Sequence, residues 1–422
     1  MANSFNKEER VAFEDMVGGF EDQLEMTNLA KVYRVGDTEM VRTNDIIWRP
    51  QPYIAQSFDG MDQSTNFKTN TQLAVPATIG FLKSVPWSMD AKELRDALQE
   101  NRIYDSAKQK LASDINRALL NVSALQGTLV VKRTTASAGF DDVALAEAIM
   151  NEQGVDMNDR KLVYNTRDYN GAASNLAARQ TMTGLPESAY RGNRIGHVAS
   201  FDTYKLDYSQ RLQAAAGGGG ITITTLDAGG NVYTPRATST AATGETGNVD
   251  NRFQRVTVSS TTNVAAGDCF TIAGVNAVHH ITKQDTGQLK TFRVISVDTG
   301  TTMTISPPII SNQVANDAAA QYQNVIVNTK ASNSAIVFLN TVATQVNPFW
   351  QRDAIELLPA RLAIQENAGV AVMRATTKQG VEIVLQKFQS IGVNSTLYRA
   401  DVLFGVVNKQ PEMSGIMLFN QT

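Results

Sequence analysis

Four consecutive glycines, Gly217–Gly220, separate two stretches of very different composition. Glycine loses more backbone freedom on ordering than any other residue, so a run of four is expected between structural units. The run is followed at once by "ITITT", and the chain then stays rich in threonine to about residue 329. Short alternating segments such as "RVTVSS", "TFRVISV" and "TMTISP" favour strands. Together they predict a small antiparallel barrel or sandwich.

On both sides of this region the sequence alternates between helical and extended patterns. "DDVALAEAIMNEQG" is typical of a helix and "KLVYN" of a strand, and the last forty residues favour three strands. The glycines therefore predict the point where a β module, residues 221–330, interrupts an α+β domain. A phosphate-binding loop is disfavoured, because that motif needs Gly-Lys-Ser/Thr leading into a helix.

The first 34 residues predict an amphipathic, acidic helix. Its apolar residues recur at spacings of three and four, and Gly18-Gly19 is expected to end or bend it. The acidic side could be a solvated face or part of a docking element. We favour docking, because the apolar stripe has no domain of its own to cover it.

Residues 43–87 favour extended backbone. Pro50 and Pro52 exclude a helix, and "DGMDQS" predicts a turn between two limbs of a two-stranded excursion. Such a pair of strands is marginal alone and is expected to need neighbours.

A long helix is predicted from Ser88 to about Leu125. Asp90 and Glu93 resemble a capping box, apolar residues follow a period near 3.6, and Gly127 is a plausible stop. At about 1.5 Å per residue, this helix would be a rod of roughly 50 Å.

Composition excludes several functional classes. The net charge of −3 and the absence of basic runs disfavour tight nucleic-acid binding. The one cysteine, Cys269, excludes intrachain disulfides. No stretch of about 18 consecutive apolar residues occurs, so no membrane span is predicted. The polar N-terminus does not resemble a signal peptide. We therefore expect an intracellular product, or one that leaves the cell by lysis, with no membrane partner.

No catalytic or metal-binding constellation stands out. His279-His280 with Cys269 could suggest a metal site, but adjacent strand residues point to opposite faces. The acidic pairs Asp141-Asp142 and Glu21-Asp22 are more simply explained as helix starts or exposed faces. We expect no enzymatic activity, no cofactor and no bound metal.

Five further stretches stand out in order along the chain: "TNDIIWRP" (43–50), "PESAYRGNRI" (186–195), "GNVDNRFQRVTVS" (247–259), "NPFWQRDAIELLP" (347–359) and "GVVNKQPEMSG" (405–415). In this collinear order they resemble the major capsid (coat) protein of short-tailed enterobacterial phages of the Salmonella phage P22 type.

The resemblance implies an α+β fold of the Hong Kong 97 capsid type with an inserted antiparallel β-barrel domain. The segments would be an N-terminal arm (1–34), an E-loop with flanking strands (35–87), a P-domain spine helix (88–126), the first part of an A-domain (127–220), the inserted I-domain (221–330), the second part of the A-domain (331–366) and the C-terminal strands of the P-domain (367–422).

The resemblance also implies function. Subunits would form hexamers and pentamers in an icosahedral shell around double-stranded DNA, which they would contact weakly and non-specifically. A scaffolding protein would direct procapsid assembly before maturation, and a portal protein would occupy one vertex. The location would be the virion capsid, with assembly in the host cytoplasm.

Three sets of residues are expected to make contacts in such a shell. They are the intercapsomer loop residues Glu245, Asp250 and Arg252, the scaffold-docking arm residues Glu14, Asp15, Glu21 and Asp22, and the E-loop interface residues Trp48, Arg49, Asp59 and Lys68.

Two alternative functions remain open from the sequence. A β-rich tail-fibre or adhesin-like protein would fit the threonine-rich region, but the long predicted helix disfavours it. An enzyme on the α+β domain would need a constellation that the sequence does not offer.

Overall fold

A computed structural model of the chain describes residues 4–34, 46–90, 97–178, 185–207, 210–217, 219–227, 229–328, 333–364, 369–392 and 394–422. The chain forms two compact units. Unit one comprises Met1–Ile47, Ala77–Leu120 and Ile355–Val407, and unit two comprises Trp48–Pro76, Asn121–Ala354 and Asn408–Thr422.

Unit one contains a sheet with the order β1-β21-β24-β23-β22, in which β4 also pairs with β24. The hairpin β23–β24 and the antiparallel pair β4–β24 each align over most of their length. The strands are β1 (Lys31–Val32), β4 (Phe81–Asp90), β21 (Ile355–Ala360), β22 (Ala371–Thr376), β23 (Glu382–Ser390) and β24 (Ser395–Asn408).

Helix α1 (Lys7–Gln23) covers part of unit one and continues through Gly18 and Gly19. Burial of its apolar stripe, including Met16 and Phe20, offsets a cost of about 1 kcal/mol per glycine. The predicted break is therefore wrong. The expectation that the stripe waits for a partner is also wrong, because the chain itself covers it.

Helix α2 (Ala97–Gln126) is the predicted long helix, but it does not begin at Ser88. Ser88 pairs with Leu397, and Asp90 with Ser395, as the end of β4. The predicted partner of the cap, Glu93, lies outside the described residues. A local capping pattern cannot show that a distant strand will bind the same backbone groups. Here the backbone of Ser88 to Asp90 pairs with β24, so these residues are part of a strand and not of the helix.

Unit two contains a second sheet, called the host sheet, with the order β5-β25-β20-β6-β8-β7. Its central strand β6 is buried throughout. Asn165 ends β6 and caps the next helix, since its side chain accepts from Arg167 N and Asp168 N, both at 3.0 Å. The strands are β5 (Leu129–Lys132), β6 (Arg160–Asn165), β7 (His197–Val198), β8 (Phe201–Leu206), β20 (Asn347–Gln351) and β25 (Ser414–Leu418), and the helices are α3 (Phe140–Gln153), α4 (Thr166–Ala177) and α5 (Leu185–Gly192).

A third sheet, called the inserted sheet, follows the glycines, as the threonine-rich pattern predicts. Its order is β10-β18-β14-β15-β16-β13, with β17 also paired to β14, and its apolar face forms a separate core. The elements are β10 (Thr222–Ile223), β13 (Gln254–Thr257), β14 (Cys269–Val278), β15 (Asp285–Thr299), β16 (Thr302–Ser306), β17 (Val325–Val327), β18 (Ser334–Phe338) and the helix α6 (Asp317–Tyr322).

The strands on either side of the inserted sheet pair with each other. β9 (Arg211–Leu212) precedes the glycines, and β19 (Thr344–Gln345) follows β18. They are antiparallel, so the chain leaves and re-enters the host at one place. Because β18 pairs with β10 and β14, the sheet extends past the predicted boundary at residue 330. We call residues 221–338 the inserted module.

Two predicted assignments after residue 330 differ from the structure. β21 lies in the unit-one sheet, although 331–366 was expected to complete the A-domain. β25 lies in the host sheet, parallel to β5, although 367–422 was expected to belong to the P-domain. An apolar strand pattern indicates burial but does not identify the sheet in which the strand pairs.

Two short strand pairs complete the described strands. β2 (Ile46–Pro50) pairs with β3 (Ala74–Thr78) and brackets the predicted excursion, of which residues 43–45 lie outside the described part. β11 (Thr238–Thr240) pairs with β12 (Thr246–Asn248) and forms a hairpin within the inserted module.

Candidate assembly surfaces

The loop between β2 and β3 exposes several large apolar side chains at its tip. Met61 is fully exposed, Phe67 is 88% exposed, and Tyr53 and Phe58 are also exposed. Residues 55–62 are exposed without interruption. Aromatic and methionine side chains clustered in this way are typical of a surface that another molecule covers.

The root of this loop is fixed, in contrast to its tip. Tyr322 on α6 donates from its hydroxyl to Thr71 O at 2.8 Å, and Thr71 N donates to Gln321 Oε1 at 3.1 Å. Leu73 and Ile54 pack with Tyr322 in a small apolar cluster. The loop is therefore presented from an anchored base.

The predicted interface residues of this region lie in different settings. Trp48 and Arg49 are half-buried in β2, and Asp59 is exposed beside the turn at Gly60. Lys68 pairs with Asp317 on α6 at 3.2 Å. The structure thus places only Asp59 on the exposed tip, and the intersubunit role of the four residues stays a prediction.

The β11–β12 hairpin is the second exposed projection. Every residue from 238 to 248 is exposed, and Glu245 lies beside its tip. Its neck is rigid, because Asn251 Oδ1 accepts from Tyr233 Oη at 3.0 Å and from Arg236 N at 3.1 Å. The exposed charge of Glu245 is therefore held on a fixed stalk.

Asp250 and Arg252, predicted to act with Glu245, instead brace this neck. Arg252 donates to both Asp250 carboxylate oxygens, at 2.9 and 2.7 Å, and to Asn408 O at 2.9 Å. Its guanidinium also lies 4.9 Å from the Phe253 ring centroid. The Arg252 side chain is only 8% exposed, which leaves little of it for a neighbour.

The acidic arm residues also separate into two groups. Glu14, Asp15 and Asp22 are exposed on α1. Glu21 accepts from Lys378 N at 2.7 Å and lies 3.5 Å from its ammonium, so this carboxylate already has a partner within unit one.

A buried carboxylate that sequence analysis missed fixes α1. Glu9 accepts from Lys387 Nζ at 2.5 Å and from Tyr398 Oη at 2.7 Å. It also accepts from Asn6 N at 2.7 Å, as the third residue of a capping box. The sequence signal was the Asn6–Glu9 spacing, but the strand partners are more than 370 positions away.

Unit two contains a partly buried charge cluster around Glu412. Lys290 on β15 donates to Glu412 Oε1 at 2.6 Å and to Gln153 Oε1 at 2.8 Å, and Asn324 Nδ2 donates to Glu412 Oε1 at 3.1 Å. His280 Nε2 lies 3.8 Å from Glu412 Oε2. The sequence suggests His280 only as a metal ligand and gives no sign of the pair formed by Lys290 and Glu412, which are 122 positions apart.

Burial and neighbouring charges set the titration of this cluster. Burial tends to raise the pKa of Glu412, but Lys290 and His280 outweigh it and lower the pKa to about 2. Burial lowers the pKa of His280 to about 4; Glu412 opposes that shift, and Lys290, Lys283 and His279 add to it. Glu412 is therefore charged and His280 neutral at neutral pH.

Within the described ranges, no three His, Cys, Asp or Glu side chains are arranged to hold a metal ion. Among the described helices, none has both the length and the apolar character needed to cross a membrane.

Comparison with known proteins decides the family. The model of the family described as P22 coat protein (gene protein 5) matches residues 1–420. The chain belongs to the P22 coat protein family. Membership confirms the predicted resemblance, the α+β capsid fold with an inserted β domain, and the function as a phage major capsid protein. It also supports self-assembly of the chain and its location in the virion capsid.

Solved structures similar to the chain include phage capsid proteins. The CUS-3 coat protein I-domain is 38% identical over 30% of this chain and 99% of its own, with a TM-score of 0.22. A structure of Mycobacterium phage Che8 is 9% identical over 89% of this chain and 85% of its own, with a TM-score of 0.43. The capsid structure of cyanophage P-SCSP1u is 10% identical over 93% and 86%, with a TM-score of 0.44.

Replacing Glu9 with glutamine should destabilise unit one. The change removes the charge that compensates Lys387, a side chain only 13% exposed. We expect the free energy of unfolding to fall by about 1–3 kcal/mol, measured by chemical denaturation. Glu8→Gln is the matched control, since Glu8 is exposed on the same turn. Equal stability of the two variants would contradict this role.

His280 should make the chain less stable in mild acid. Its pKa is lowered from 6.5 to about 4, so the unfolded state takes up a proton first as the pH falls. Stability that is present above pH 6.5 should decline toward pH 4, by about 1–3 kcal/mol relative to His280→Gln. Denaturant titrations at several pH values measure this difference. A decline toward pH 4 that is the same in the wild-type protein and in His280→Gln would contradict this role.

Proposed function

We propose that the chain is the shell-forming subunit of a tailed phage, assembling through pentamers and hexamers into an icosahedral shell around double-stranded DNA. The observation that carries this proposal is the exposed apolar tip of the β2–β3 loop on an anchored root. A tip of this kind gains stability from burial only when another surface meets it. In a self-assembling shell, a second copy of the chain supplies that surface.

The segments take the roles that the family fold provides. Residues 1–34 act as the arm, 35–87 as the E-loop, and the long helix as the spine of the P-domain. The host sheet forms the A-domain, including β25, and the inserted module forms the I-domain. The sheet pairings favour this division over one that follows sequence order alone.

The β11–β12 hairpin bridges neighbouring capsomers. Its exposed residues and rigid neck support this role, with Glu245 making the contact and the Asp250–Arg252 pair holding the stalk in place. A single exposed ion pair contributes about 0–1 kcal/mol, but a shell repeats the contact in many copies.

A basic scaffolding segment docks on the arm. The support is the exposed position of Glu14, Asp15 and Asp22 on one helix. Contacts between exposed charges weaken as salt screens them, so this docking is salt-sensitive. It takes place in the host cytoplasm, before maturation.

Two further partners complete the proposal. A portal protein occupies one vertex, and packaged DNA touches the shell weakly and non-specifically, which agrees with the net charge of −3.

Deleting residues 56–66 tests the proposal. The wild-type protein should form closed shells at high concentration, seen by electron microscopy. The deletion should leave a folded monomer that builds no shells, because the tip makes no described contact on which the rest of the subunit depends.

Met61→Ser with Phe67→Ser, which keeps the loop length, should weaken assembly in the same direction. Ile281→Ser is the matched control, since Ile281 is 67% exposed outside the loop. Normal shells from the deletion variant would overturn the proposed role of the loop, and a wild-type protein that never forms shells would overturn the function.

A further inference from the structure

The inserted module meets the rest of unit two at several points, including the Arg252 and Tyr322 contacts described above. Strand β15 adds two fully buried basic side chains to this contact, Lys290 and Arg293. Thr291 donates from its hydroxyl to Thr128 O at 2.6 Å, and Lys290 reaches Glu412 and Gln153. These partners lie outside the module, between the end of α2 and β5, at the end of α3, and just before β25.

Arg293 supplies the deepest contact of β15. Its side chain is completely buried, and it donates to Ala124 O at 2.5 Å, to Gly127 O at 3.2 Å and, within the module, to Gly267 O at 2.9 Å. Ala124 lies in the last turn of α2. A cation at this position satisfies helix carbonyls and complements the negative end of the helix dipole.

A second helix end is covered in the same way. α3 ends at Gln153 and is capped by Gly154, which has a positive φ of 79°. His280 N donates to Gln153 O at 3.1 Å, and the His279 ring lies so close to Gly154 that a Cβ there would overlap it. The module therefore covers the carboxyl ends of two host helices.

The apolar part of this contact is small compared with the module's own core. Among the described residues, one cluster of seven buried residues joins Cys269 to Ala124, Val130 and Ile416, and a second of four joins Leu73 to α6, whereas seventeen buried residues form the core of the module. Hydrogen bonds between buried polar groups form only in one relative arrangement of module and host. Removal of one partner leaves the other buried and unpaired, which costs free energy. The module is thus a self-contained body that polar contacts attach to its host.

We propose that Lys290, Thr291 and Arg293, with Glu412 opposite, form a lock that seats the inserted module on the host, and that the module can leave this seat as a folded body. The paired strands β9 and β19 form the connection on which it would open. The lock does not depend on the proposed function, and the free full-length subunit suffices to test it.

Chemical labelling of Cys269 can report whether the inserted module is seated on the host. Cys269 is the chain's single cysteine, it is completely buried, and it lies in the cluster between module and host. A thiol reagent such as DTNB can reach it only when this seam opens. The rate of labelling under native conditions therefore measures how often the module leaves its seat.

Removing Arg293 should open the seam without unfolding either body. We expect Arg293→Met to speed labelling of Cys269 at least tenfold, and Arg293→Lys to have a smaller effect because one ammonium cannot reach all three carbonyls. Arg255→Met is the matched control, since Arg255 lies on β13 of the same module with a 60% exposed side chain, and it should label at the wild-type rate.

Two reporters in a Cys269→Ala background separate seating from general instability. Ala146→Cys places a thiol in the host core, and Val256→Cys places one in the module core. Neither should label faster when Arg293→Met is added. If all three positions accelerate together, or if Cys269 labels at the wild-type rate in Arg293→Met, the lock is refuted.

A charge swap tests the second half of the lock. Lys290→Glu and Glu412→Lys should each speed Cys269 labelling at least tenfold, and the double exchange should recover much of the loss. A double exchange that labels as fast as either single variant would show that Lys290 and Glu412 do not hold the module through each other.

Discussion

The β2–β3 loop combines a fixed root with an exposed apolar tip, and the proposed assembly depends on this combination. Its root is fixed by α6 through Tyr322 and Gln321, while Met61 and Phe67 at the tip are almost fully exposed. A chain that holds its apolar residues away from its own cores remains incompletely buried as a monomer. Assembly with other copies removes this exposed area from water, which gives a physical reason for the shell.

Insertion of a second folded body explains the organisation of unit two. β9 and β19 pair where the chain leaves and returns, so the host loses little by accommodating about 120 further residues. The module in turn carries the exposed β11–β12 hairpin, whose neck is braced by Arg252 on Asp250 and Asn408 O. Seating of the module therefore also determines where this hairpin is presented.

Local patterns predicted the elements better than their partners. Gly217–Gly220 and the threonine-rich alternation located the inserted sheet, and the 3.6-residue period located most of α2. Ser88 was assigned to this helix because its strand partner, Leu397, is far away in sequence. The same limit applied to β25, whose apolar run did not reveal that it pairs with β5.

The candidate contacts show the same limit. Charged residues in a glycine-rich loop suggested that Glu245, Asp250 and Arg252 would all face a neighbour. Whether a charge is exposed or braced depends on distant atoms such as Asn408 O, which no local spacing reveals. For the same reason the contacts of Lys290 with Glu412 and of Arg293 with the end of α2 could not be predicted, because these partners are more than 100 positions apart.

Hydrogen exchange of residues 55–70, compared between free subunits and assembled shells, measures whether a second copy buries the loop tip. We expect fast exchange at the tip in the free subunit and at least tenfold slower exchange in shells, where a second copy covers it. Equal exchange in both states, or a tip already protected in the free subunit, would show that assembly does not bury this surface.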